Sequence, residues 1–424
     1  MTHAEEPRRR TMVIGLPPDY RYPGTLAAWY SDTTRYAANL GACLITNALL
    51  RQLDADYVER FDDAAELRAR YDTCVLALAT HLHPSRDIGW IADVVERLDL
   101  KTIVLSAGIP DYDAELASDF RLHSSVRRVL EIASSGSNWL GVRGHYSAMA
   151  LRRAGFANVV PIGCPTLYWG LRENLEIHTK ASCENPIVTY HLTLGRALGS
   201  ALGGLPLLGQ DFQDHAAFTD DLAADRELQN WLRSQFADEE TFATVQSIAR
   251  ANGTFLRTFD DWFTYVGRHD FVTGPRLHGC IAGLVQGIPA VMAPRDLRVR
   301  ELVEFYGLPT TSYEALGRGN LAAIYRAADF SRFTDLYPRR YRSFVAFLRE
   351  NGVPSRHSCE GRPELVFESE DLANAARVVE SSGRSEVRTK TTEARQQIGE
   401  IWRAPVTAAA SAARRILERA RRPN

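Results

Sequence analysis

The chain has 424 residues, 45% hydrophobic and 24% charged, and its 50 basic and 52 acidic side chains leave a formal net charge of −2. That is ordinary globular composition, long enough for two domains, and the balanced charge excludes a dedicated nucleic-acid binder. The charged first ten residues are unlike a signal peptide, no segment approaches the roughly 18 uninterrupted apolar residues of a spanning helix, and Cys43, Cys74, Cys164, Cys183, Cys280 and Cys359 stand singly, as reduced cytoplasmic thiols do.

After residues 1–10, expected to be disordered, strand-like apolar runs alternate with helical periodicity, the signature of an α/β protein with parallel sheets. Residues 11–16, 73–79, 101–107, 139–143 and 159–163 read as buried strands, with helices at 40–53, 87–98, 123–134 and 146–154. A second series begins at Pro186, with strands at 187–192, 205–209, 271–273 and 290–293 and helices at 222–236, 239–251, 279–286 and 297–306. Two Rossmann-like domains facing a cleft are predicted, 11–180 and 186–315, joined near 174–185. A helical segment, 316–368, follows, and from 369 the chain turns polar and then rich in Ala and Arg. That tail reads either as a solvated or docked terminus or as a basic helix lying on an acidic membrane surface.

The residues with chemistry stand at the ends of these strands. His81 and His83, in Ala79-Thr80-His81-Leu82-His83-Pro84, read as cleft-facing or as surface-loop histidines. Asp111-Tyr112-Asp113, after Pro110, has the form of a metal-binding acidic turn but reads better as solvated loop. Arg143 is a fixed cation at the carboxyl edge of its strand, and Cys164, in a Gly-Cys-Pro turn with no assigned base, reads as a structural thiol rather than a nucleophile. Tyr190-His191 closes the first strand of the second domain.

The most informative stretch is 271–291, a strand, a turn carrying Arg276 and His278, an apolar helix ended by Gly287, and a second strand opened by Pro289. A guanidinium fork beside backbone N–H groups at a helix start suits a carboxylate or phosphate, and His278 can exchange a proton near neutrality. The plainer alternative has Arg276 capping a carbonyl and His278 as a hydrogen-bonded helix-start residue.

Taken in order, Asn39-Leu40-Gly41, Gly141-Val142-Arg143 before a helix ending Leu151-Arg152-Arg153-Ala154-Gly155, Gly163-Cys164-Pro165-Thr166, and Thr273-Gly274-Pro275-Arg276-Leu277-His278-Gly279 with Gly287-Ile288-Pro289 resemble the polysaccharide pyruvyl transferase family over residues 39–309. The resemblance implies an α/β fold like the glycosyltransferase B type with a helical C-terminal extension. It also implies transfer of a pyruvyl group from phosphoenolpyruvate to a sugar of a surface polysaccharide or its precursor, forming a ketal and releasing phosphate. Phosphoenolpyruvate is then a co-substrate, and no metal or further cofactor is expected. On this reading Arg276 and Arg143, with Leu277 and Gly279, hold the donor and His278 is the catalytic acid or base. Asn39, Gly41, His81, His83 and His191 face the sugar or lipid-linked glycan acceptor. The expected location is cytoplasmic, at the inner face of the membrane only if the basic tail lies on it. Two positions depart from the pattern: Ala42 stands where many members carry Asp, and Gly144 where an acidic residue is frequent. A sugar-nucleotide glycosyltransferase of the same fold, or a non-catalytic scaffold in polysaccharide assembly, are the alternatives.

Overall fold

The computed structural model describes residues 10–21, 24–25, 39–110, 120–220 and 223–366. The expectations for residues 1–9, for Asp111-Tyr112-Asp113 and for the tail from 369 lie outside them; Arg10 opens the first strand.

The first domain runs β1 (Arg10–Ile14), α1 (Leu40–Gln52), β2 (Ala55–Tyr57), α2 (Ala64–Arg70), β3 (Tyr71–Ala77), α3 (Gly89–Leu98), β4 (Lys101–Leu105), α4 (Ser124–Gly136), β5 (Leu140–Val142), α5 (His145–Arg153) and β6 (Val159–Pro161). Its parallel strands lie in the order β2-β1-β3-β4, and a parallel bridge from Ala107 to Val142 attaches the β5-β6 pair. Successive side chains alternate between two cores: Met12, Ile14, Cys74 and Leu76 enter one, Val13 and Val75 the other. Both faces are covered by helices or by the second domain, so these strands are continuous apolar runs. β2 is absent from the sequence expectation because Ala-Asp-Tyr at a sheet edge carries no such run.

The second domain runs β7 (Pro186–Thr189), α6 (Leu192–Leu198), β8 (Leu207–Leu208), α7 (Phe212–Phe218), α8 (Arg226–Ser234), α9 (Glu239–Asn252), β9 (Gly253–Thr254), α10 (Phe259–Val266), β10 (Phe271–Gly274), α11 (Leu277–Leu284), β11 (Ala290–Met292) and α12 (Leu297–Tyr306). Its five strands are parallel in the order β11-β10-β7-β8-β9. Side-chain caps set where its helices start: Asp211 closes a capping box on α7, and Asp225, Asp238, Thr258 and Asp296 cap α8, α9, α10 and α12.

Three helices follow among the described residues: α13 (Tyr313–Gly317), α14 (Leu321–Ala327) and α15 (Ser331–Glu350). α15 carries the chain back to the first domain, where the Asn351 side chain accepts from the backbone N–H of Asn138 and Trp139 at 3.0 and 3.1 Å and Arg356 N–H donates to the Gln52 carbonyl at 2.7 Å. The helical segment therefore ties the two domains together. No helix of the described residues is long and apolar enough to cross a membrane.

Candidate active site in the interdomain cleft

Parallel α/β sheets receive ligands beyond the carboxyl ends of their strands, where the strand order reverses. The first sheet reverses between β1 and β3, the second between β7 and β10. A cavity of about 320 Å³ between the domains is lined by the residues that follow all four: Gly15 and Leu16 after β1, residues 78–81 after β3, His191 after β7, and Pro275, Arg276, Leu277 and His278 after β10. Arg143 after β5, Gln210 after β8, and Arg295 and Arg298 after β11 complete this wall.

Arg143 is the least compensated of these groups. It is 1% exposed, and its Nε and Nη1 are buried without a hydrogen-bond partner. Burial disfavours its charged form and Arg298 adds to that, against the pull of Cys164, Glu301 and Asp296. A guanidinium does not give up its proton under these conditions, so the effect is a standing electrostatic cost. An anion in the cavity relieves it. Arg298 also has a buried Nε without a partner, while its Nη2 donates to Asp296 at 3.0 Å.

His278 stands in the first turn of α11 at 8% exposure, with Nε2 3.8 Å from the Cys164 sulfur. Its pKa lies well below the ordinary imidazole value, pushed there by burial and then by Arg143 and Arg298. At neutral pH it is an unprotonated base. The Gly163-Cys164 turn is held by Tyr306, whose hydroxyl accepts from Cys164 N–H at 2.9 Å and donates to its carbonyl at 3.2 Å. Gly163 has φ +76°, and a side chain there would run into the Tyr306 hydroxyl.

Arg276 is ion-paired within the fold. Its Nη2 donates to Asp211 at 2.5 Å and Asp214 at 2.7 Å, and its Nε to the Tyr190 carbonyl at 2.9 Å. Burial works against its charge, but the two carboxylates overcome that and raise its pKa. Arg276 lines the cavity as a fixed cation already paired with two carboxylates. Its partners lie 65 and 62 residues away, at the capping box of α7.

The remaining expected residues divide. Leu277 lines the cavity; Gly279 does not, because a side chain there would meet Thr189 Cγ2 at 2.5 Å and the position serves the close packing of α11 on β7. Asn39 lines it while capping α1, accepting from Ala42 N–H and from Gln210 Nε2, both at 3.1 Å. Gly41 lies behind the wall, where a Cβ would stand 2.6 Å from both His278 Nδ1 and Gln210 Nε2, so a bare backbone lets α1 reach the second domain. His81 lines the cavity with Nδ1 buried and unpartnered, its pKa lowered to about 4 by burial, then by Arg86. His83 does not reach the cavity: its Nδ1 bonds Ser85 Oγ at 2.7 Å and N–H at 3.1 Å, closing its own turn. His191 lines the cavity, 2.7 Å from Arg295 through Nε2, and burial followed by Arg276 and Arg295 holds it well below the ordinary imidazole pKa.

The sequence reading missed Arg295 and Arg298; two arginines flanking a helix-capping Asp just after a strand were the available signal. It also missed what serves Gly144. The α5 start is capped from the other domain by Glu301, which accepts from Ser147 N–H at 2.6 Å and Ser147 Oγ at 2.8 Å. A side chain at 144 would collide with the Glu301 methylenes, so the bare glycine admits this carboxylate. Burial pushes the Glu301 carboxyl up to about 7.

Residues 39–296 match the family model described as Polysaccharide pyruvyl transferase. No curated protein matches the chain. Among solved structures, the chain is similar to a putative UDP-N-acetylglucosamine 2-epimerase from Listeria monocytogenes at 11% identity and TM-score 0.41, covering 85% of this chain and 99% of that one. It is similar to the UDP-GlcNAc 2-epimerase of Methanocaldococcus jannaschii, solved with UDP-GlcNAc and UDP, at 10% identity and TM-score 0.40, covering 80% and 99%. A third similarity is to Anabaena HepE in complex with UDP, at 12% identity and TM-score 0.33, covering 77% and 85%.

Proposed function

Because the chain belongs to the polysaccharide pyruvyl transferase family, we propose that it moves a pyruvyl group from phosphoenolpyruvate to a sugar of a surface polysaccharide or its precursor, forming a ketal and releasing phosphate. The observation that carries this reading is Arg143, a buried guanidinium with two unpartnered nitrogens on a cavity that also holds Arg295 and Arg298. Phosphoenolpyruvate offers the phosphate and carboxylate that such a cluster takes up.

In the reaction the methylene carbon of the donor gains a proton, one sugar hydroxyl oxygen bonds to the adjacent carbon, and the carbon–oxygen bond to phosphate breaks. A second hydroxyl then closes the ketal, so of the two hydroxyl protons one ends on the new methyl group and one leaves with phosphate. His278, neutral in the resting site, takes the proton of the attacking hydroxyl and can pass it on to the methylene carbon. The arginines stabilise the phosphate as it departs. The acceptor is taken to be a free or lipid-linked glycan reached from the cytoplasm.

A phosphate-release assay with phosphoenolpyruvate against a panel of free and lipid-linked glycans tests this. Release that requires both substrates is the expected result. A response to nucleotide sugars in place of phosphoenolpyruvate would contradict the donor and point to glycosyl transfer.

A further inference from the structure

The cavity has two unlike walls. The second domain contributes Arg276, Arg295, Arg298, His191 and His278, while the first contributes Arg86 and Arg143 together with mostly apolar groups around one aromatic ring. That ring is Trp90, in the first turn of α3, 44% exposed and the one large hydrophobic residue that stands exposed among those described. Phe61 lies against it with ring centroids 6.3 Å apart and planes tilted by 39°. Ile88 and Ile91 flank it, and Thr80, His81 and Asp87 set polar groups on the same cavity. One of those is the His81 Nδ1, buried and without a partner. A large aromatic exposed at a cavity, with a few hydrogen-bonding groups beside it, is the composition of a small-molecule subsite rather than of a solvated surface.

We propose that this wall is the acceptor subsite, and that it takes an uncharged pyranose ring with its C–H face on the Trp90 indole and its hydroxyls toward Thr80, His81 and Asp87. An uncharged ring fits the Trp90 part of the cavity, where the indole with Ile88 and Ile91 offers an apolar platform with hydrogen-bonding groups on its rim, whereas the arginines of both domains suit the anionic donor. The assignment rests on the proposed pyruvyl transfer for its biological sense, but glycoside binding at Trp90 is measurable without the donor.

The test titrates methyl glycosides of the common hexopyranoses into the native protein and into Trp90→Ala, following tryptophan fluorescence. Both proteins are also melted with and without phosphoenolpyruvate. The expected result is a saturable fluorescence change with at least one glycoside, weakened by about tenfold or more in Trp90→Ala, while protection by phosphoenolpyruvate is the same in both. That protection separates a folded variant from a damaged one, and its absence from both proteins would count against the donor, not against this subsite. No change with any glycoside, or the same change in both proteins, overturns the subsite. A change only with polyprenyl phosphate micelles overturns it in favour of a lipid contact.

Discussion

Arg143 and Arg276 carry the same charge on the same cavity and are set for different work. Arg276 is enclosed by two carboxylates, and truncating it leaves the buried Asp214 and the half-buried Asp211 without their cation. Arg276→Ala is therefore expected to lower stability by about 3–5 kcal/mol, read by denaturant unfolding. Arg143 has the opposite ledger, since its buried Nε and Nη1 make no bond. Arg143→Met removes a desolvated charge and is expected to raise the stability of the unliganded protein, by about 1 kcal/mol or more. His278→Ala should keep donor binding and slow phosphate release at least about 100-fold; unchanged turnover removes the imidazole from the mechanism. Both arginines were visible in the sequence as cations at strand ends. Their difference was not, because a sequence shows a charge but not the partner that folding brings from more than sixty residues away.

Among elements, the junction of α5 with α12 joins the domains through one carboxylate. Glu301 is protonated in the fold up to about pH 7, whereas its ordinary value is 4.5. Between those values the folded state binds more protons than the unfolded one, so the Glu301 contribution to stability is present at low pH and lost as pH rises through about 7. Glu301→Gln keeps an acceptor for Ser147 N–H and sets an amide N–H, in place of the accepting oxygen, against Ser147 Oγ, without titrating. Its stability relative to the native protein should climb across that window, by as much as roughly 3 kcal/mol; a difference flat with pH contradicts the placement. The helices that were legible in sequence are those with a capping side chain or a strong apolar period: α12 is found at its predicted 297–306. What escaped were short elements such as β2 and β9, whose two or three residues are too few to show a period. The cap of α5 escaped too, because Glu301 lies 154 residues from Ser147.

At the scale of the molecule, two parallel sheets present their switch points to one cavity, and α15 returns to the first domain to hold them there. This architecture was legible in the alternation of apolar runs and helices, because strands buried on both faces leave continuous signals. The composition of the cavity was legible only in part, since its apolar wall and Trp90 belong to segments that read in sequence as plain strand ends and a helix start. A buried guanidinium with two unpartnered nitrogens stands ready for an anionic donor. The most direct test of this is the thermal unfolding of the native protein and of Arg143→Met over a range of phosphoenolpyruvate concentrations. The predicted result is a saturable rise in Tm for the native protein and none for Arg143→Met, although the unliganded variant melts at least as high. An equal rise in both proteins, or no rise in the native one, would contradict it.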